Sequence, residues 1–159
     1  MSTRLVHQIR IARTPTAVYA YVTQPWRWCE WHPSSLHASA DHGLADRPLA
    51  VGQSFSERIA LRPLAPLPPT LHRQSRYTVE ALDPPRTWQV HGVMRDAWLR
   101  LRYDLEAMDA DATLFTRTLE YAATGLNRLW LPWLRGRTDA LSHRALANLR
   151  TLLESDGDA

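Results

Sequence analysis

Through the first 121 residues the apolar positions mostly fall two apart, and after that they fall three, four or seven apart. In Arg4 to Ala12, Leu5, His7, Ile9 and Ile11 share one face, while Arg4, Gln8 and Arg10 lie on the other with Val6. That period predicts a half-buried strand. Thr14-Pro15 follows, a capping residue and a proline suited to the first helical position, and Ala17 to Val22 continues as a short helix that Pro25 stops. Pro25 to Pro33 carries Trp26, Trp28 and Trp31 in a second helical turn, and Ser34 to Val51 reads as loop with a short strand near Leu36 to Ala40.

Alternation resumes at Gln53 to Leu61, where Phe55, Glu57, Ile59 and Leu61 face one way. Pro63 to Leu71 holds four prolines, which excludes a helix or a central strand and predicts a loop near the mouth of a cavity. Arg73 to Leu82 and Thr87 to Met94 are strand candidates joined across Asp83-Pro84-Pro85. In Ala97 to Ala107, Leu99, Leu101, Tyr103 and Leu105 oppose Arg100, Arg102, Asp104 and Glu106. Thr113 to Tyr121 is the last strand. Beyond Gly125, Trp130, Leu134, Leu141, Ala145, Leu149 and Leu152 make one apolar stripe on a helix from Leu126 to Glu154, about 43 Å long at 1.5 Å per residue. Pro132 either kinks this helix or marks the start of its straight part.

The predicted class is α+β. A strand, two short helices and five or six further antiparallel strands precede one long C-terminal helix. A sheet with one apolar face must cover it, and only the last helix is long enough to do so. A curved sheet wrapped around a helix that it cannot touch everywhere leaves a space, and that space is the expected ligand site.

Several segments carry a resemblance. Thr14 to Tyr19, the run from Pro25 through Trp28 to Trp31-His32-Pro33, Asp83-Pro84-Pro85-Arg86, Thr118 to Tyr121 and Ala147 to Glu154 occur in an order similar to that of the START-like helix-grip superfamily (SRPBCC), in particular its polyketide cyclase/dehydrase and lipid-transport branch. The resemblance spans nearly the whole chain. It implies one ligand-binding domain over residues 1–159, with a curved sheet of six or seven strands around the last helix. The superfamily includes both carriers and enzymes, so the resemblance bears on fold more than on activity. The chain departs from the superfamily's pattern at Arg117, where a large inward apolar residue is expected, and in the proline-rich loop.

Composition narrows the function classes. The chain has 159 residues, 45% of them apolar and 22% charged, which excludes intrinsic disorder and fits one core. Nineteen basic residues, all arginine, against sixteen acidic ones give a net charge of +3, and no nucleic-acid reader motif is present. Nucleic acid is therefore not an expected partner. The single cysteine, Cys29, excludes an internal disulfide and fits a reducing, cytoplasmic setting; the first thirteen residues show no apolar signal core. Cys29, His32, His37 and His42 are zinc-ligand types, but their spacing matches no familiar site, and Cys29 reads more simply as a small buried residue. No metal or cofactor is expected.

The informative residues are polar ones on apolar faces: Glu57, Arg117, His7 and Arg137. Glu57 and Arg117 either form an ion pair across the sheet or serve a ligand, with Arg117 or Arg137 grasping a carboxylate, phenolate or carbonyl. His7 reads as a satisfied edge histidine. Trp28, Trp31, Tyr77, Trp88, Tyr103, Tyr121, Trp130 and Trp133 either pack the core or line a cavity for a flat apolar ligand. The expected function is binding of a small hydrophobic, aromatic or lipid-like molecule. The alternative is an enzyme of the cyclase/dehydrase kind, with Glu57 as base and Arg117 stabilising an enolate oxygen. A further alternative is a protein- or membrane-interaction module, with Leu126 to Leu134 touching a lipid surface.

Overall fold

The computed structural model describes residues 1–41, 47–62 and 64–156, so His42, Pro63 and the last three positions lie outside the described residues. Strand β1 (Thr3–Ile11) leads into α1 (Pro15–Val22), a 3₁₀ turn (Pro25–Arg27) and the single-turn α2 (Trp28–Trp31). Six strands follow: β2 (Ser35–Ala40), β3 (Ser54–Leu61), β4 (Leu71–Asp83), β5 (Thr87–Met94), β6 (Ala97–Asp109) and β7 (Ala112–Ala123). A second 3₁₀ turn (Gly125–Trp130) precedes α3 (Leu131–Ser155). The seven strands form one antiparallel sheet in the order β1-β7-β6-β5-β4-β3-β2.

The short elements form for local reasons. The Thr14 side chain accepts a hydrogen bond from the Ala17 amide at 3.3 Å, and Pro15 opens α1. The three-residue spacing in α2 turns Trp28 and Trp31 inward and leaves Cys29 exposed, which corrects the reading of Cys29 as a buried residue. The long α-helix starts at Leu131, later than the expected Leu126. Pro132 accounts for this, because its ring would clash with the carbonyl of residue 128 if the helix reached back that far. Gly125 adopts φ +62, a conformation costly for any side chain, as the chain turns from β7 toward the helix. β4 begins at Leu71, two residues before the predicted Arg73, and takes in the end of the proline-rich segment.

The strand register sets the inner face. His7 pairs with Arg117, Arg117 with Tyr103, and Tyr103 with Trp88, which gives one row from the edge strand to the middle of the sheet. Helix α3 closes over this face and buries Ala145, Leu146, Leu149 and Leu153. Three polar contacts fix its C-terminal half. Asn148 Nδ2 donates to the Trp31 carbonyl at 3.1 Å, Arg13 Nε to the Leu153 carbonyl at 2.7 Å, and the Ala12 amide to Glu154 Oε1 at 2.9 Å. The N-terminal half of α3 buries far less, and there the sheet and helix part.

Candidate functional site

Between the inner face of the sheet and the N-terminal half of α3 lies a cavity of about 440 Å³, within the range of small-molecule sites. Its wall is largely aliphatic: Ile59, Leu61, Leu99, Leu101 and Leu119 from the strands, with Leu131, Leu134 and Leu141 from the helix. At the mouth, Leu64, Pro69 and Leu71 represent the proline-rich loop where the sequence places it. Arg137 holds that loop. Its guanidinium donates to the carbonyls of Arg62 at 3.0 Å and Ala65 at 2.8 Å and lies 4.9 Å from the centre of the Trp133 ring.

The inner end is aromatic and polar. Phe55 and Tyr77 stack with ring centres 4.9 Å apart, Trp88 stacks under Tyr103 at 5.4 Å, and Trp28 meets Phe55, Tyr77 and Trp88 edge-on. This cluster fixes two tyrosines. Tyr77 donates its hydroxyl proton to Glu57 Oε2 at 2.9 Å. Burial, followed by the nearby Glu57 charge, pushes the Tyr77 phenol well above its usual range; Tyr103 is raised chiefly by burial. The ring of Tyr77 lies over Gly92, its register partner, where a Cβ would stand 2.7 Å from the ring edge. Glycine at this place is what lets the ring reach Glu57.

Glu57 and Arg117 do not form an ion pair. Arg117 is only 5% exposed, yet its guanidinium meets no carboxylate among the described residues. One terminal nitrogen donates to Ser142 Oγ at 2.9 Å, the other lies 3.4 Å from His32 Nε2, and Nε has no hydrogen-bond partner among the described residues. His32 Nε2 faces that donor, while its Nδ1 stands 2.9 Å from the Ser34 hydroxyl and accepts from the Ser34 amide at 3.4 Å. Burial, then the Arg117 charge, lowers the His32 pKa to about 3, so the ring is neutral at physiological pH. Burial also raises the Glu57 carboxyl above its ordinary value, opposed by the hydroxyls of Ser35 and Tyr77 and by the charge of Arg117. The result is a greasy chamber with a cation held by neutral groups and a carboxyl that resists ionisation.

Of the residues singled out in the sequence, Trp28, Glu57, Tyr77, Tyr103, Arg117, Tyr121 and Trp133 line this one cavity. Trp31 and Trp88 do not; both are fully buried core residues, and Trp88 packs beneath the site against Trp28, Phe55 and Tyr103. Arg137 also lies off the wall, because its fork is occupied by the loop carbonyls. The Trp130 side chain lies outside the described residues. His7 is buried on the edge strand with Nε2 2.8 Å from Asp139, but its Nδ1 has no hydrogen-bond partner among the described residues, so the ring is only half satisfied. The residue pattern does not mark His32, Ser142 or Gly92 as parts of the cavity site. Ser142 sits on the buried stripe of α3, and an isolated glycine inside a strand pattern marks a close approach; both are signals of the kind that reveals Glu57.

The chain matches the family described as "Polyketide cyclase / dehydrase and lipid transport" over residues 2–154, and it belongs to that family. No curated protein matches it. Solved structures are similar in fold. The Zhui aromatase/cyclase from Streptomyces sp. R1128 has a TM-score of 0.72 and 12% identity, with 97% of this chain and 94% of that one covered. A Thermus thermophilus protein, TTHA0849, has a TM-score of 0.71 at 9% identity, with 97% and 99% covered. The di-domain ARO/CYC BexL from the BE-7585A biosynthetic pathway has a TM-score of 0.68 at 17% identity; 96% of this chain is covered against 46% of BexL.

The raised carboxyl and the close glycine each have a measurable consequence. A carboxyl raised by folding binds its proton more tightly in the folded chain, so its contribution to stability falls as pH rises past the unfolded value of about 4.3. Glu57→Gln removes that loss, and the stability of the variant relative to the parent will rise between pH 4.5 and pH 7 in urea titrations; a flat difference would contradict the assignment. Gly92→Ala will displace the Tyr77 ring and destabilise the fold by about 1–3 kcal/mol, measured by chemical denaturation.

Proposed function

We propose that the protein binds a flat, largely apolar small molecule whose oxygen, as a carboxylate, phenolate or polarised carbonyl, docks on Arg117. The observation that carries this reading is the buried guanidinium without a carboxylate partner among the described residues, on the wall of a largely aliphatic cavity. A buried charge without a counter-charge is costly, and a ligand oxygen offsets that cost as no described residue of the site does. Burial of ligand hydrocarbon at about 25 cal/mol per Å² supplies the remaining affinity. Tyr103 and Tyr121 present rings along the same wall, and Trp133 stands near the mouth. The setting that fits a single free cysteine is the cytoplasm.

The test uses two fluorescent probes of the same shape, 1-anilinonaphthalene-8-sulfonate and its uncharged counterpart N-phenyl-1-naphthylamine. Both will bind the parent. Arg117→Met will weaken the sulfonate about tenfold to a hundredfold, the worth of a charge-assisted hydrogen bond, and leave the neutral probe within about twofold. Equal loss of both, in a variant with an unchanged circular dichroism spectrum, would count against Arg117 as the anchor.

A second reading is catalysis, and the likeness to aromatase/cyclase structures together with the raised Glu57 carboxyl favours it. A chain bearing several ketones would fold in the cavity into a near-attack geometry. Glu57, when ionised, would take a proton from the carbon beside a ketone, and Arg117 would hold the enolate oxygen so formed. The enolate carbon would bond to a second carbonyl carbon, and Glu57 would return the proton to the new alkoxide. With a poly-β-ketone substrate followed by mass spectrometry, Glu57→Gln will abolish conversion and retain binding; conversion that persists would leave the protein a carrier.

Lipid contact has its own observation. Leu126 and Leu129 are 83% and 78% exposed, and Leu64 and Leu67 of the clamped loop are exposed to a lesser degree, with Leu64 also lining the cavity. Among the described residues no helix is long and apolar enough to cross a membrane, so any such contact would be peripheral. Co-sedimentation with anionic phospholipid vesicles that falls severalfold on Leu126→Ser/Leu129→Ser would support it, and unchanged sedimentation would remove it.

A further inference from the structure

We propose that His7, Asp139 and His143 form a binding site for a divalent transition metal ion of the zinc, cobalt or nickel type. Asp139 and His143 are four residues apart on α3 and so share a face; His7 reaches them from the edge strand β1. His7 Nε2 stands 2.8 Å from Asp139 Oδ1, and His143 Nε2 stands 3.7 Å from Asp139 Oδ2. One donor atom of each residue lies within 4.8 Å of the other two. Ligand atoms about 2.0 Å from a tetrahedral ion stand about 3.3 Å from one another, between the two separations observed. Small side-chain rotations would therefore close the site without movement of the backbone.

The surroundings suit an ion. The His7 side chain is only 4% exposed, so packing holds one ligand in place, while Asp139 at 47% and His143 at 69% leave the site open to solvent. Three protein donors with open positions for water are a usual arrangement for zinc outside closed structural sites. In a chain whose basic residues are all arginine, the ion-pair partners of Asp139 among the described residues are these two histidines, so no guanidinium among them occupies the carboxylate. Metal on His7 Nε2 places the ring proton on Nδ1, which is buried with no hydrogen-bond partner among the described residues, a cost that the bonds to the ion must exceed. Two imidazoles and one carboxylate select borderline ions over calcium or magnesium. An ion here would also bridge the edge strand to α3 beside the half of the helix that packs least. The inference does not depend on what the cavity binds.

The test is calorimetric titration of tag-free protein with zinc chloride, accompanied by the visible spectrum with cobalt(II). We expect saturation at one ion per chain, cobalt bands of low-coordinate intensity, and a melting temperature that rises with zinc in excess. Asp139→Asn and His143→Ala, both at accessible positions, will each weaken zinc at least about tenfold and remove the thermal shift, whereas His37→Ala, elsewhere on the surface, will change neither. The absence of saturable binding below about 1 mM zinc would overturn the proposal. So would binding that survives both site variants or that His37→Ala weakens equally.

Discussion

A cation held deep in an apolar chamber, with no anion among the described residues bonded to it, is the constraint around which the site is organised. Arg117 takes a place in its strand that alternation reserves for a core side chain, and everything near it answers to that charge. Ser142 on the helix and His32 beyond α2 contribute only neutral acceptors, so the guanidinium is positioned but not neutralised. Burial keeps His32 unprotonated and the same field adds to it, while for Glu57 that field partly offsets burial. An ion pair with Glu57 would have satisfied both groups and left the guanidinium without an open donor.

The cavity itself follows from unequal packing along one helix. The C-terminal half of α3 carries Ala145, Leu146, Leu149 and Leu153 into the core and is hydrogen-bonded to α2 and to the residues after β1. The other half carries Pro132 and the partly exposed Trp133 in its first turn, and it reaches the sheet through Ser142 to Arg117 and Asp139 to His7 while Leu134 and Leu141 border the cavity. The dense aromatic cluster of Trp28, Phe55, Tyr77, Trp88 and Tyr103 serves as a floor, stiff enough to hold two phenol groups at its upper side.

Much of this is legible in the residue pattern because two-residue alternation and helical spacing report burial directly. Glu57 and Arg117 stand out as charged residues within apolar rows, and both do line the cavity. Whether they meet each other is not legible, because that depends on how Ser142 and His32 approach from distant parts of the chain. Trp31 and Trp88 show the converse: an aromatic residue on an inward face has the same pattern whether it borders a void or lies beneath it. Gly92 is legible only as an isolated glycine within a strand, and the pattern does not say which group makes the close approach. The start of α3 is ambiguous until the steric demand of Pro132 is set against the 3₁₀ turn before it.

The Arg137 clamp acts on main-chain oxygens alone. Its grip on the segment at 62–65 is therefore indifferent to which side chains that segment displays. The loop can change its residues, and with them the chemistry of the rim, while one guanidinium keeps the opening in register with the helix. Substitutions there would alter the rim and leave the chamber behind it undisturbed.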